Sequence, residues 1–265
     1  MRHSYIAAHD GTDRAADAVA LARLLARPHC APVRMVHVCR ARAASVRVER
    51  AQVLGPEERL RVPGDPLPLN LTAHSVVLGL QDAAQREPAA LIVVASAPGG
   101  EMDRTFPGST AQRLLHGAPC PVAIAPDGYA TRHPTTIRVI GVAIDADPES
   151  WQALRHAIEL ARSLDARVRL MTAVDPTAKA EELLHDARAE MPGDVLVETR
   201  LCEGPQGEAI VAACDEDVDL LVCGLLGTTT SLVVAHSRCP VLVPPRRAGN
   251  GGITAPAGTA GTRRA

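Results

Sequence analysis

The sequence predicts an α/β protein built as two tandem domains, and three observations carry that prediction. Residues 5 to 38 and 140 to 173 share one pattern: a short apolar run ending in Asp, a helical stretch, then a second apolar run. Asp145 stands 135 positions after Asp10, and no gap is needed between the copies. Strand-type runs alternate with runs of helical period, which is the signature of parallel strands covered by helices. Each half also closes on Cys-Pro-Val inside an apolar run, Cys120-Pro121-Val122 and Cys239-Pro240-Val241. A repeat of this length is one domain duplicated. Cys239 follows Cys120 by only 119 positions, so the second copy has lost residues in its interior.

In the first copy the expected strands are Tyr5 to Ala8, Val33 to Val38, Leu67 to Leu71, Leu91 to Ala95 and Val122 to Ala125. Helices are expected over Asp13 to Arg27 and Ser75 to Arg86, where Val19, Ala22 and Leu25, then Val76, Leu80, Ala83 and Ala84, recur at helical spacing. Ala41 to Pro68 carries Arg, Pro and Gly without a sustained period and reads as a loop or a poorly formed helix. Asp127 to Thr136 reads as the linker.

The second copy predicts strands at Val139 to Ile144, Val168 to Ala173, Val195 to Leu201, Leu220 to Gly224 and Val241 to Val243. Its first helix opens with Asp147 as N-cap and Pro148 at the first helical position, and sets Trp151, Leu154, Ile158, Ala161 and Leu164 on one side. Further helices are expected over Thr177 to Glu190 and from Pro205, the latter turning Ile210, Ala213 and Cys214 inward. The predicted domains are residues 1–126 and 137–244. The tail, 245–265, is Gly, Ala, Thr and Arg without periodicity, and is expected to be disordered.

Composition narrows the function classes. A chain of 265 residues gives each domain enough length to bury a core. A net charge of −2 and the lack of a dense Lys/Arg run argue against a nucleic-acid partner. Lys179 is the only lysine, which reads as base composition of the genome rather than chemistry. The seven cysteines are scattered with no Cys-x-x-Cys, and so read as small buried residues of a reducing compartment. No apolar run approaches the roughly 20 residues of a membrane span, and the start, MRHSYIAAHDG, has no long apolar core. A cytoplasmic protein without a membrane partner is expected.

These residues resemble the universal stress protein family in its tandem form, over residues 4 to 126 and 137 to 244. Three features carry the resemblance: Asp closing the first strand (HDGT; IDAD), the second strand ending MVHV or LMTAV, and a block running from fourth strand through loop and helix to Cys-Pro-Val. That block is LIVVASAPGGEMDRTFPGSTAQRLLHGAPCPVAIA in one copy and LLVCGLLGTTTSLVVAHSRCPVLV in the other. The resemblance implies a five-stranded parallel sheet of Rossmann-like order in each domain. It also implies that the two fifth strands, near Val122 and Val241, pair to make an intramolecular pseudo-dimer, to which a homodimer of chains could be added. Many members bind ATP through Gly, two residues, Gly, nine residues, then Gly-Ser/Thr. Glycines let backbone amides approach phosphates, and the closing pair opens a helix whose N-terminus attracts anions.

In the first copy the spacing is intact, but Ala95 and Pro98 replace the first two glycines, while Gly108 and Ser109, followed by Thr110, satisfy the closing pair. Proline has no N–H, so Pro98 subtracts a phosphate donor. Ser109 with Gln112 also reads as a capping box, a purely structural reason for the same residues. Asp10 matches the family acid beside the nucleotide and Val38 the strand end near the adenine; Asp10-Gly11 also reads as an ordinary turn. The second copy keeps Gly224 and Gly227-Thr228, but ten residues of the loop are missing. Its counterpart residues are Asp145, Ala173, Gly224, Gly227 and Thr228, with almost nothing left to wrap a triphosphate.

His37 lies inside a strand and reads as a core or nucleotide-edge residue. No metal-ligand spacing, nucleophile elbow or Walker-type Gly-Lys-Ser/Thr is present. The sequence therefore points to a stress-related regulatory protein, not an enzyme, with at most one adenine-nucleotide (ATP) site, in the N-terminal domain, and an unidentified protein partner. The competing reading is a degenerate member that binds no nucleotide and works through its surfaces. An ATP-using enzyme on a related fold would need a phosphate loop that this chain lacks.

Overall fold

The computed structural model describes residues 4–40, 68–98, 104–173, 177–224 and 227–245. The predicted disordered tail beyond Pro245, and Ala41 to Leu67 of the predicted loop, lie outside the described residues.

Among the described residues, ten strands form one sheet, in the order β3-β2-β1-β4-β5-β10-β9-β6-β7-β8. The first domain supplies β1 (Ser4–His9), β2 (Val33–Arg40), β3 (Leu69–Ala73), β4 (Ala89–Ala95) and β5 (Val122–Ala125). The second supplies β6 (Val139–Ala143), β7 (Arg167–Thr172), β8 (Val197–Leu201), β9 (Leu220–Val222) and β10 (Val241–Val243). Pairing is parallel within each domain and antiparallel between β5 and β10, where Val241, Leu242 and Val243 face Ile124, Ala123 and Val122. Two apolar edge strands thus cover each other instead of facing solvent.

The helices are α1 (Ala15–Ala26), α2 (Val76–Arg86), α3 (Ser109–Gly117), α4 (Pro148–Leu164), α5 (Thr177–Ala189), α6 (Gln206–Asp217) and α7 (Gly227–His236). Alternation along the strands sorts side chains into two cores. Ile6, Val36, Val122, Ile124, Val241 and Val243 pack under α2, α3, α6 and α7; Tyr5, Ala7, Met35, Ala123, Ile140 and Leu242 pack under α1, α4 and α5. Both cores contain residues of both domains, so the molecule has three layers that run unbroken through the β5–β10 seam.

Several boundaries differ from expectation for local reasons. The amides of Ala15 and Ala16 bond the carbonyls of Thr12 and Asp13, so residues 12–14 are turns and α1 starts two residues late. Val195 is held in a turn by its amide bond to Pro192, so β8 begins at Val197. Asp147 is the N-cap of α4 and Pro148 its first residue, but the cap makes no side-chain hydrogen bond; Ser150 Oγ donates to the carbonyls of Asp145 and Asp147 instead. The capping box at Ser109 does not form: Gly108 is the N-cap, in extended backbone, and Ser109 is already helical with no side-chain cap.

The predicted linker is a packed element. Residues 130–132 make a single turn of tight helix, Tyr129 is buried, and the carboxylate of buried Asp17 accepts the amides of Gly128 (3.0 Å) and Ala130 (2.7 Å).

Candidate functional site

The strand order reverses direction at β1, which has β2 on one side and β4 on the other, and in such sheets ligands bind beyond the carboxyl ends of the strands at that crevice. A cavity of about 300 Å³ lies there. Its floor is apolar, from Val36, Val94 and Leu80; one rim is His9 and Asp10, and the other is Ala95 to Pro98 with Gly108, Ser109 and Thr110. The fold therefore brings together Asp10, Gly108, Ser109 and Thr110. Val38 is not among the lining residues. It points its methyls at α2, where a Cβ on Gly79 would come within 2.6 Å of them, and its neighbour on the same strand face, Val36, lines the cavity instead. Period-two alternation along β2 puts Val36 and Val38 on one face, so the sequence did carry a signal for Val36.

One end of the cavity is the start of α3. The first helical turn leaves the amides of residues 109–111 without partners inside the helix, the first intrahelical acceptance being Gly108 carbonyl from Gln112 (3.0 Å). All three residues line the cavity, and the Ser109 side chain is exposed. Opposite them Pro98 contributes no amide donor. Ala97 closes on Gly108: a Cβ there would lie 2.7 Å from that of Ala97. Ser96 ties the two sides of the loop, accepting from the Phe106 amide (3.0 Å) and donating to the Ala125 carbonyl (3.0 Å).

Asp10 takes the Thr12 amide (3.0 Å) and hydroxyl (2.6 Å) on one oxygen, the turn that Asp-Gly foretold. Burial pushes its carboxyl up, but the two Thr12 hydrogen bonds and the Arg14 charge outweigh this and hold it below the ordinary value. Beside it the Gly11 amide donates to His9 Nδ1 (2.8 Å), and His37 Nδ1 meets the His9 carbonyl (2.9 Å), so His37 braces the rim from the second strand.

The second domain repeats the turn. Asp145 accepts the Asp147 amide (2.9 Å), as Asp10 accepts that of Thr12. Its carboxyl is shifted the other way: burial raises it, the Asp147 and Glu149 charges add to the rise, and the hydrogen bonds from Asp147 and Ser150 only partly offset it. A Cβ on Gly224 would lie 2.5 Å from the Glu149 carbonyl carbon and 2.8 Å from the Ser150 nitrogen, so the first turn of α4 packs directly on the backbone that follows β9. Ala173 is buried in the core. Gly227 and Thr228 open α7, and the described structure gives them a backbone position only.

The long loop of the first domain serves the second. Arg104 donates to the His236 carbonyl and lies 3.4 Å from Asp215, while Thr105 donates to the Ser237 carbonyl through its amide (2.7 Å) and its hydroxyl (3.2 Å). The second domain has deleted the corresponding residues, so this clamp is one-sided. Sequence reading missed it because its partners are more than a hundred residues apart.

Among the described residues, no group of three or more His, Cys, Asp or Glu side chains is placed to hold a metal ion, and no helix is long and apolar enough to cross a membrane.

Comparison with known proteins adds independent evidence. The model of the universal stress protein family matches residues 1–126 and again 136–245. Universal stress proteins of Mycobacterium tuberculosis and Mycobacterium bovis are 30% identical over 207 residues, covering 65% of this chain and 70% of theirs. Among solved structures, a universal stress protein of Archaeoglobus fulgidus superposes with a TM-score of 0.66 at 18% identity, covering 92% of this chain and 98% of its own. A functionally unknown protein of Pseudomonas aeruginosa gives 0.66 at 18% identity, covering 92% of both. At that identity these two speak for the fold.

Proposed function

The chain belongs to the universal stress protein family, and from that premise we propose that it is a regulatory protein whose N-terminal domain alone holds an adenine nucleotide, of the ATP type, without turning it over at a useful rate. The observation that carries this reading is the asymmetry of the two domains. Asp10, Gly108, Ser109 and Thr110 converge on one cavity, whereas in the second domain the loop is ten residues shorter and the first turn of α4 packs directly on Gly224.

The residues fit such a ligand in two respects. The amides at the start of α3 and the Ser109 hydroxyl suit phosphate oxygens, with the helix N-terminus favouring negative charge. Asp10, held anionic, would repel phosphate and suits a neutral hydroxyl donor such as a ribose, so it orients the ligand with its phosphates toward α3. The nucleotide would supply a charged tail that the loop over residues 104–108 can sense, and that loop reaches the second domain through Thr105. The same loop lets ligand occupancy bear on the domain seam, which is the form a switch of interactions would take. Asp10 is held below its ordinary carboxyl value, which makes it a weak base.

Pro98 and the Ala97–Gly108 contact favour a second reading, a nucleotide-free interaction module, because both diminish the cradle. Calorimetric titration of ATP separates the two. The nucleotide reading expects binding by the wild type, lost in Gly108→Val and weakened in Asp10→Ala; a flat wild-type titration at millimolar ATP supports the module.

A further inference from the structure

Four cysteines of the second domain, Cys202, Cys214, Cys223 and Cys239, come from separate segments and gather in the core under α6 and α7. Two of them are neighbours across one cavity: Cys214, in the last turn of α6, and Cys239, in the segment leading into β10, whose thiols influence each other's ionisation. Cys239 Sγ also lies 3.2 Å from Ser237 Oγ. These two cysteines, and neither of the others, line a cavity of about 340 Å³ whose walls include Arg132, Arg238 and Asp215. The arrangement is confined to one copy of the repeat: Cys120 holds the place of Cys239 in the first domain, but Gln85, 129 positions before Cys214, holds that of its partner.

We propose that Cys214 and Cys239 are an oxidisable thiol pair, which a small hydroperoxide entering this cavity converts into a disulfide joining the end of α6 to the start of β10. Cys239 is the attacking sulfur. Interaction with the Cys214 thiol, with help from Ser237, holds Cys239 below the ordinary thiol value against its burial and the Asp215 charge, while Cys214 is held well above it. Cys120 and Cys223, by contrast, are pushed up to about 12 by burial and stay protonated. The thiolate, not the thiol, is the nucleophile.

In the first step Cys239 sulfur attacks the terminal peroxide oxygen; an S–O bond forms, the O–O bond breaks, and the alcohol or water leaves with a proton. In the second, Cys214 sulfur attacks the sulfenic sulfur; the S–S bond forms, the S–O bond breaks, and the hydroxide leaves with the Cys214 proton as water. The two thiols lose two electrons and the peroxide gains them. Ser237, two residues before Cys239, presents the carbonyl that Thr105 grips, so the bond would form beside the clamp between the domains.

The test is peptide mapping of the reduced full-length protein after exposure to hydrogen peroxide, with residual thiols alkylated under denaturing conditions. The proposal expects a cross-linked Cys214–Cys239 peptide lighter by two hydrogens. It also expects that Cys214→Ala abolishes the cross-link and leaves Cys239 trapped as a dimedone adduct. Full alkylation of Cys214 and Cys239 once the exposed Cys30 and Cys39 have reacted overturns it. So does a cross-link from either one to Cys223 in place of the expected partner. The wild-type map decides even if the variant fails to fold.

Discussion

Gly224 and Glu149 are in backbone contact across the second domain, closely enough that any side chain at Gly224 would overlap the Glu149 carbonyl at 2.5 to 2.7 Å. The neighbouring atoms belong to a helix turn and cannot swing aside. Gly224→Ala should therefore displace the start of α4 and destabilise the protein by about 2 kcal/mol, within the usual range for overpacking. Urea unfolding checks this, and an unchanged midpoint would mean that the turn moves freely.

Asp17 holds the connection between the domains. Its carboxylate is buried and takes two amides, those of Gly128 and Ala130. Asp17→Ala should leave both donors unsatisfied and cost roughly 2 to 4 kcal/mol. A urea midpoint within error of wild type would show that water replaces the carboxylate without loss.

Asp10 and Asp145 occupy equivalent places and respond to acid in opposite senses. Burial is the largest influence on each, but Thr12 and Arg14 carry Asp10 below its ordinary value, whereas Asp145 stays above. The stability Asp10 contributes is present above its unfolded value and lost as pH falls through its folded one. For Asp145, the contribution is present below its unfolded value and lost as pH rises through its folded one. Asp10→Asn should cost about 0.5 kcal/mol near neutrality, kept small by solvent screening at an exposed site. Asp145→Asn should gain on the order of 0.5 kcal/mol near neutrality, and both differences should shrink in acid. Unfolding midpoints measured near neutrality and in acid check the signs.

Thr105 joins the domains through two bonds to one carbonyl. Thr105→Val keeps the shape and the amide but removes the hydroxyl, and should cost about 1 kcal/mol. If the loop transmits ligand occupancy, the same variant should leave ATP affinity nearly unchanged while lowering the difference that ATP makes to hydrogen exchange at residues 237–243.

Legibility in the sequence followed the range of the interactions. β5 and β10 were readable end to end because a proline precedes each apolar run and Pro126 or Pro244 follows it closely. The Asp10 turn was readable because Asp and Thr12 are two residues apart. Ser109 was misassigned as the cap because sequence alone favours a hydroxyl at that place, whereas the extended backbone at Gly108 makes the glycine the cap. The docked linker, the close packing of α4 on Gly224 and the cavity shared by Cys214 and Cys239 were invisible, since each depends on residues brought together only by the sheet. The missing loop in the second copy was legible, but the packing of α4 on Gly224 was not.

Counting bound nucleotide per chain by native mass spectrometry tests the central claim most directly. The account predicts a single ATP adduct on the wild type, none on Gly108→Val, and one still on Asp145→Asn. Two adducts on the wild type, or one that survives Gly108→Val and disappears with Asp145→Asn, would contradict it.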